Sequence, residues 1–210
     1  MTDPKTPIAG IILAAGMSSR LGSAKQLVRA GGQVLLDKIL DEALASRLDR
    51  IVLVLGHQAA EISAALKVRE NHDRLHILVN PDYRDGMSTS LRIGTQSVQN
   101  RFAAIMVLLG DQPFVGADLI DRLIDRFRSS QKDICVPVCR GRKGPPVIIG
   151  QRFYSAVMST TGDIGARDIL KSNPESILDV EISDPKIFFD VDTREDIDRL
   201  QSLISENIWK

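Results

Sequence analysis

The turn after the first apolar run of the chain combines small residues with two cations. The run Ile8–Leu13 leads into Ala14–Gly16, and Arg20 and Lys25 follow shortly afterwards. Small residues let a ligand approach the backbone, consecutive N–H groups in such a turn bind anions, and nearby cations suit a di- or triphosphate. The spacing fits neither the Walker A phosphate loop nor the dinucleotide-binding glycine fingerprint. The segment predicts a phosphate site of another kind; the alternative is a surface loop with incidental charge.

A single carboxylate follows another wholly apolar run. Asp111 comes after Ala104–Leu109 and Gly110, where an open α/β sheet binds ligands beyond the carboxyl ends of its strands. Proteins hold Mg²⁺ through one or two carboxylates, with phosphate oxygens and water completing the octahedron. Asp111 is therefore a candidate Mg²⁺ ligand. The alternative is a turn or cap residue before the predicted helix Val115–Phe127.

Two acids lie two positions apart near the end of the chain. Asp190 and Asp192 follow a predicted short strand, Ile187–Phe189, and precede a predicted closing helix, Thr193–Ile204. Asp192 could supply a second metal ligand. It could equally cap the closing helix, because acidic and hydroxyl side chains both suit a helix N-terminus.

The elements that must position these residues alternate between continuous apolar runs and amphipathic segments. Continuous apolar runs suit a parallel sheet covered on both faces, and the amphipathic segments have the i, i+3/i+4 spacing of helices. This alternation predicts an α/β three-layer sandwich with right-handed crossovers. The predicted strands are Ile8–Leu13, Ile51–Leu55, His76–Val79, Ala104–Leu109 and Ile134–Val138. The apolar faces of the predicted helices fall in 35–44, 62–66, 91–98 and 119–127.

After about residue 139, glycines and prolines become more frequent and the elements shorter. The predicted strands there are Val147–Ile149, Ile177–Ile182 and Ile187–Phe189, and the predicted helices are Gln151–Met158, Asp163–Lys171 and Thr193–Ile204. No repeat, low-complexity tract or linker interrupts the chain, so residues 1–210 are predicted to form one domain.

The composition limits the classes of function. The 210 residues are 43% hydrophobic and 26% charged, as in ordinary globular proteins that bury a substantial core. The 27 basic and 27 acidic residues cancel, so no overall field would recruit nucleic acid or an anionic membrane. The apolar stretch Ile8–Ala15 is far shorter than the roughly 20 residues that span a bilayer, and the residues before it lack the charge of a signal peptide. We therefore expect a cytoplasmic protein.

The two cysteines are predicted to be structural thiols. Cys135 and Cys139 would lie about 13 Å apart on one face of a straight strand, which is too far for a disulfide. The three histidines of the chain form no zinc-binding pattern with them.

Five motifs, in order along nearly the whole chain, resemble those of the nucleotidyltransferases that act on molybdenum cofactor, especially the molybdenum cofactor cytidylyltransferases. The first motif is shared by many sugar, isoprenoid and cofactor nucleotidyltransferases, and alone it indicates only the class. Its combination with the later motifs is what makes the chain similar to the molybdenum cofactor transferases in particular. The motifs are Leu13–Lys25, Asn80–Gly94, Gly110–Pro113, Gly162–Arg167 and Asp190–Thr193.

This resemblance implies a Rossmann-like, mostly parallel sheet of the nucleotide-diphospho-sugar transferase type. It also implies one nucleotidyltransferase domain, with a nucleotide-binding part over about 1–115 and an acceptor-binding part over about 116–210. In the nucleotide part, Arg20 and Lys25 would hold the triphosphate, and Asp111, next to Gly110, would ligate Mg²⁺ with Asp192. Base and ribose would meet the backbone of Leu13, Ala14, Ala15 and Gly16.

Further motif residues would face the acceptor. The nucleotide and acceptor side would be lined by Ser88, Ser90 and Leu91, with Asn80 nearby. The acceptor wall would include Gly162, Asp163 and Arg167. One departure lies at Pro145, where relatives more often have His or Asn; the loss of a side-chain donor and a backbone N–H there bears on which acceptor is bound.

The reaction implied by the resemblance is Mg²⁺-dependent transfer of CMP from CTP to a phosphate of molybdopterin or molybdenum cofactor, with release of pyrophosphate. A phosphate monoester is largely dianionic at neutral pH, so it needs no general base. The sequence accordingly shows no evident His or Cys nucleophile arrangement. A molybdoenzyme or its maturation factor is a possible protein partner, whereas nucleic acid and membranes are not expected partners.

Three alternatives stay open. Within the class, the chain could be a GTP-using molybdopterin guanylyltransferase or a sugar-phosphate nucleotidyltransferase, because sequence does not display how a loop backbone reads a base. From another class, it could be a non-catalytic nucleotide- or cofactor-binding chaperone. A binding module does not need metal ligands, so the presence of Asp111 and Asp192 disfavours this alternative. An NAD(P)-dependent oxidoreductase is disfavoured, because the glycine fingerprint and its distant acidic residue are missing.

Overall fold

The computed structural model describes residues 6–17, 21, 24–66 and 72–205. Its strands are β1 (Ile8–Ala14), β2 (Arg29–Ala30), β3 (Gln33–Val34), β4 (Arg50–Leu55), β5 (Leu75–Val79), β6 (Ala104–Leu109), β7 (Ile134–Cys139), β8 (Arg142–Lys143), β9 (Val147–Gly150) and β10 (Ile177–Glu181). Its α-helices are α1 (Leu35–Ala45), α2 (Ala59–Ala65), α3 (Met87–Val98), α4 (Ala117–Arg128), α5 (Tyr154–Ser159), α6 (Arg167–Ser172) and α7 (Arg194–Ser205).

A mostly parallel sheet of eight strands forms the centre of the fold. Its order is β10-β7-β9-β6-β1-β4-β5, and β8 pairs with β7. The neighbours β6-β1-β4-β5 run parallel, as do β10 and β7, whereas β9 runs antiparallel between β6 and β7. Because parallel strands end at one edge of a sheet, the turns after β1, β4 and β6 lie side by side.

Helices cover both faces of this sheet. Along β1, Ile8 and Ile12 belong to a core with α1, α2, α4 and α7, whereas Ile11 and Leu13 belong to a second core with α3, α5 and α6. Side chains alternate between the two faces of a strand, so a strand buried on both faces must be apolar throughout. The predicted three-layer α/β/α sandwich with a Rossmann-like sheet is confirmed.

Two elements of the second half differ from the sequence-based predictions. The predicted strand Ile187–Phe189 is wrong, because Pro185–Phe188 forms a 3₁₀ helix in which the Asp184 side chain accepts a hydrogen bond from the Lys186 N–H at 2.9 Å. Proline has no N–H for a ladder and a φ suited to the first turn of a helix. The predicted helix Asp163–Lys171 is divided at Gly165, whose φ of +56° ends a 3₁₀ turn before α6.

Both cysteines are free and buried. Burial raises the pKa of the Cys135 thiol to about 12, as expected for an inert core thiol. Among the described helices, none combines the length and apolar character that a bilayer crossing requires.

Candidate functional site

The turn after β1 and the turn after β6 are in direct contact at the carboxyl edge of the sheet. The Gly110 N–H donates to the Leu13 carbonyl at 2.9 Å, and a Cβ on Gly110 would come within 2.9 Å of the Ala14 Cβ. A side chain at position 110 would therefore push the two turns apart. The glycine brings Asp111 against the end of β1.

Lys25 reaches this edge from a short 3₁₀ helix, Lys25–Leu27. The neighbouring Gln26 is 1% exposed, and its amide donates to the Ala14 carbonyl at 2.8 Å. That bond fixes the 3₁₀ helix beside β1. Lys25 can consequently extend across the edge of the sheet.

One ammonium joins two acids from distant segments. Lys25 Nζ lies 2.5 Å from Asp111 Oδ2 and 2.8 Å from Asp192 Oδ1. Burial lowers the pKa of Lys25, but the charges and hydrogen bonds of Asp111 and Asp192 outweigh it and raise the pKa overall. Lys25 is therefore an ammonium at neutral pH, held by the two residues expected to ligate Mg²⁺.

The segment that carries Asp192 is held by its own helix. The Val191 N–H donates to the Asp111 carbonyl at 3.0 Å. Asp196 Oδ2 accepts from the N–H groups of Asp192 (3.1 Å) and Thr193 (2.9 Å), and the Asp196 N–H donates to Thr193 Oγ1 at 3.2 Å. This reciprocal pattern is a capping box with Thr193 as the cap of α7. The alternative interpretation of Asp192 as the helix cap is wrong, and its carboxylate faces Lys25.

Asp111 and Asp192 fit the needs of Mg²⁺. Asp111 Oδ1 is buried and has no hydrogen-bond partner in the described part of the chain, and a buried carboxylate oxygen is costly to leave unpaired. The residues described contain no group of three or more His, Cys, Asp or Glu side chains placed to bind a metal. Two carboxylates suffice for Mg²⁺ when a triphosphate supplies further oxygens.

A first cavity, of about 280 Å³, opens at this edge. Of the residues predicted to bind nucleotide or Mg²⁺, those on its wall are Leu13, Ala14, Ala15, Gly16, Lys25, Ser90, Gly110 and Asp111. A Cβ added to Gly16 would meet no atom of the described residues within 4 Å, so packing against that part of the chain does not require glycine there. The missing side chain leaves space that a ligand can use. Arg20 lies outside the described residues.

A second cavity, of about 340 Å³, adjoins the first and shares Leu13, Met87, Leu109 and Asp163 with it. Its apolar floor includes Val107 and Val147. The predicted acceptor-wall residues Asp163 and Arg167 and the atypical Pro145 line this cavity, together with Arg142 and Lys143. Its wall carries three basic side chains and two acidic ones, Asp163 and Asp190.

Three predicted residues, Asn80, Ser88 and Leu91, lie behind the cavities rather than on their walls. Asn80 is 2% exposed, and its amide donates to Thr89 Oγ1 at 2.8 Å and to Ser90 Oγ at 2.9 Å. Asn80 therefore positions Ser90. Ser88 is fully buried and lines neither cavity, and Leu91 is a core residue of α3.

Two of the middle motifs meet through a glycine contact. A Cβ on Gly86 would lie 2.4 Å from the carbonyl carbon of Gly162, and the φ of Gly86 is +103°. Next to this contact, Asp163 Oδ1 accepts from the Met87 N–H at 2.9 Å, at the start of α3. Two segments some 76 positions apart thus share the wall between the cavities.

Sequence reasoning missed several residues of the two cavities. Those on the first are Gln26, Tyr83, Arg84 and Met87, and those on the second include Gln112, Arg142, Lys143 and Phe188. Tyr83, Arg84 and Met87 lie within the motif Asn80–Gly94, and Gln112 lies within Gly110–Pro113. Their membership of these motifs was the signal that could have identified them. Arg142 and Lys143 carried no such signal.

Comparison with known proteins agrees with this geometry. Residues 10–177 match the model of the MobA-like NTP transferase domain family. The chain belongs to that family. It is therefore a nucleotidyltransferase of the MobA-like type.

Several members resemble the chain over nearly its whole length. The nicotine blue oxidoreductase of Paenarthrobacter nicotinovorans is 32% identical over 209 residues, covering 95% of this chain and 100% of that protein. The molybdenum cofactor cytidylyltransferase of Escherichia coli K12 is 26% identical over 186 residues, covering 89% and 91%. Among solved structures, Rv0371c of Mycobacterium tuberculosis H37Rv is similar with a TM-score of 0.81 and 28% identity, covering 94% and 99%.

Proposed function

We propose that this protein transfers CMP from CTP to a phosphate of molybdopterin or molybdenum cofactor, releasing pyrophosphate in a Mg²⁺-dependent reaction. The observation that carries the proposal is the ion-paired group Lys25, Asp111 and Asp192 beside two adjoining cavities. One cavity carries the loop expected to bind a nucleoside triphosphate. The other has basic side chains suited to an anionic acceptor.

Different residues would neutralise charge, hold the metal ion and position the acceptor during the transfer. Lys25 would leave the carboxylates and neutralise phosphate charge as pyrophosphate departs, and such preorganised charges act where negative charge develops. Asp111 and Asp192 would hold Mg²⁺. When bound, Mg²⁺ would neutralise and polarise the phosphoryl oxygens. The cavity walls would set the acceptor phosphate in line with the α-phosphorus, since positioning lowers the barrier substantially.

The divalent cation has support from a related structure. Rv0371c of Mycobacterium tuberculosis was also solved in complex with manganese, and that structure has a TM-score of 0.76 and 28% identity with this chain. The unpaired Asp111 Oδ1 is the atom of this chain that we assign to such a cation.

CTP is proposed over GTP because the motifs resemble the cytidylyltransferases most closely, and a cytidylyltransferase is among the relatives. A probable molybdenum cofactor guanylyltransferase of Thermococcus kodakarensis, 28% identical over 211 residues, represents the alternative base. The cytidylyltransferase and guanylyltransferase alternatives predict different results in one measurement: which nucleoside triphosphate supports pyrophosphate release.

The test is to incubate the protein with Mg²⁺, molybdopterin or its molybdenum form, and each of the four NTPs in turn, and to measure pyrophosphate. We expect release with CTP only, dependent on both Mg²⁺ and acceptor. Selective release with GTP would replace the cytidylyl assignment with a guanylyl one. Binding of nucleotide and cofactor without any release would indicate a chaperone instead.

A second candidate function comes from the 32% identical relative named nicotine blue oxidoreductase. The test is to mix the protein with nicotine blue and NADH or NADPH and to follow absorbance. We expect no reductant-dependent bleaching, because the turn after β1 lacks the dinucleotide glycine fingerprint. Bleaching that needs the protein, without pyrophosphate release in the first assay, would favour the oxidoreductase.

A further inference from the structure

Gln112 lines the second cavity and has a buried carbonyl oxygen without a hydrogen-bond partner among the described residues. The residue is 2% exposed, and the oxygen is Oε1. Buried polar atoms are nearly always paired in native proteins, and exceptions occur where a ligand or water completes the set.

The orientation of this carboxamide is fixed by Asp190. Gln112 Nε2 donates to Asp190 Oδ1 at 2.8 Å. The nitrogen end of the carboxamide is therefore engaged by Asp190, and the carbonyl oxygen is the end without a partner among the described residues. The backbone is held as well, because the Val115 N–H donates to the Gln112 carbonyl at 3.3 Å.

Two basic side chains of the second cavity, Arg142 and Lys143, are engaged by other residues, and Lys143 Nζ lies 2.7 Å from Asp179 Oδ1. The Arg142 guanidinium donates to the Phe188 carbonyl at 3.3 Å and lies 5.1 Å from the centre of the Phe188 ring. Arg142 therefore forms part of the cavity wall and leaves Gln112 Oε1 for another donor. A phosphate dianion has no hydrogen to donate, so a ligand group that pairs with Oε1 must be an N–H or O–H donor.

We propose that Gln112 is a specificity-determining residue that accepts a hydrogen bond from an N–H or O–H group on the body of the acceptor. The acceptor would thus have two groups that the protein recognises separately: an anionic phosphate that reacts, and an N–H or O–H group that donates a hydrogen bond to Gln112. Sites built to pair a ligand donor reject analogues that lack it, since the buried acceptor atom is then left unpaired. This inference rests on the proposed transferase function.

The test is the variant Gln112→Met, which keeps the length of the side chain and removes the carboxamide. We expect the acceptor KM in the pyrophosphate assay to rise at least tenfold, with the nucleotide KM, the affinity for CTP by calorimetry and Tm close to wild type. Gln26→Met is the matched control, because Gln26 is a buried glutamine on the nucleotide cavity. Its defect should appear in the nucleotide KM instead.

Other outcomes would overturn the inference. An unchanged acceptor KM in Gln112→Met would exclude the hydrogen bond to the acceptor. Weaker Mn²⁺ binding with an unchanged acceptor KM would assign Oε1 to the metal site. If Gln112→Met does not fold, Gln112→Asn withdraws the carbonyl from the cavity and must show the same acceptor defect. If the wild-type protein releases no pyrophosphate with any NTP, both the proposed function and this inference are wrong. If the wild-type protein turns over and Gln112→Met has an unchanged acceptor KM, only this inference is wrong.

Discussion

Lys25 and Asp111 form the tightest ion pair of the site, with Nζ 2.5 Å from Oδ2, although 86 positions separate them in the chain. The side chains of both residues are 16% exposed, so water screens the pair only partly. With Asp192 as its second partner, the ammonium neutralises two carboxylates that would otherwise repel each other. The Lys25 ammonium therefore lies between the two carboxylates that we propose as ligands of a divalent cation.

Asp111→Asn should abolish turnover without unfolding the protein. The substitution preserves shape but removes the negative charge that faces Lys25 and replaces one of the two carboxylate oxygens by an NH2 group, which cannot ligate Mg²⁺. We expect kcat/KM to fall by at least about three decades, about 4 kcal/mol of transition-state stabilisation. Pyrophosphate release measures the loss, and circular dichroism with a thermal melt checks the fold. Full activity with Mg²⁺ in this variant would refute the metal-ligand assignment.

Lys25→Met should lower kcat/KM by at least about two decades, about 3 kcal/mol, because the triphosphate loses a buried counter-charge. Lys38→Met is the matched control. Lys38 pairs with Glu42 on α1, away from both cavities, so its loss should leave the kinetics near wild type. Equal effects of the two substitutions would argue against a phosphate role for Lys25.

The same Lys25→Met variant should bind Mn²⁺ more tightly than wild type when no nucleotide is present. The substitution removes the positive charge that lies between Asp111 and Asp192, and two adjacent carboxylates attract a divalent ion. Electron paramagnetic resonance of free Mn²⁺ gives the affinity directly. An unchanged or weaker affinity would mean that the ammonium and the metal do not share these oxygens.

Much of this arrangement could be predicted from the sequence, because its cause is local. Continuous apolar runs identified the strands, and the rule that parallel sheets bind ligands at their carboxyl edge correctly brought the turn after β1 and Asp111 together. Asp111 and Lys25 were singled out by residue type. Their direct ion pair was not predicted, since it depends on how the Lys25–Leu27 turn folds back onto β1 through Gln26.

What could not be predicted depends on contacts between distant segments. The orphan oxygen of Gln112 is created by its bond to Asp190, 78 positions away, and no local pattern signals it. Asn80 was expected near the nucleotide, but its amide is used to hold Thr89 and Ser90. The error at Ile187–Phe189 has a local cause: its apolar character suggested a strand, while Pro185 and the Asp184 cap favoured a 3₁₀ helix.

Gly16→Val should raise the nucleotide KM at least about tenfold, about 1.4 kcal/mol, with little change in Tm. Gly16 lines the first cavity, and a Cβ there would meet none of the described residues within 4 Å. The added methyl groups are therefore expected to occupy ligand volume. Gly94→Val is the contrasting control, because its Cβ would lie 2.6 Å from Ile11 Cγ2 in the core and should lower Tm. If Gly16→Val lowered Tm as much as Gly94→Val, a packing role would replace the binding role.

Asp196→Ala should destabilise the protein at neutral pH and lower turnover by loosening Asp192. Burial raises the pKa of Asp196, but the hydrogen bonds from Thr193 and from the backbone N–H groups of Asp192 and Thr193 outweigh it and lower the pKa overall. A carboxyl whose pKa is lowered by folding stabilises the native state above its unfolded pKa, and that contribution is lost as pH falls through the folded value.

We therefore expect Asp196→Ala to lower the free energy of unfolding by about 1 kcal/mol at pH 7, as for loss of a helix cap. The penalty should shrink as pH falls below the ordinary aspartate range of roughly 4. Urea denaturation at pH 7 and pH 3 measures it, and Asp198→Ala, on the exposed face of α7, is the control. A penalty of the same size at both pH values, or one matched by Asp198→Ala, would show that the Asp196 carboxylate does not organise the segment that places Asp192 against Lys25.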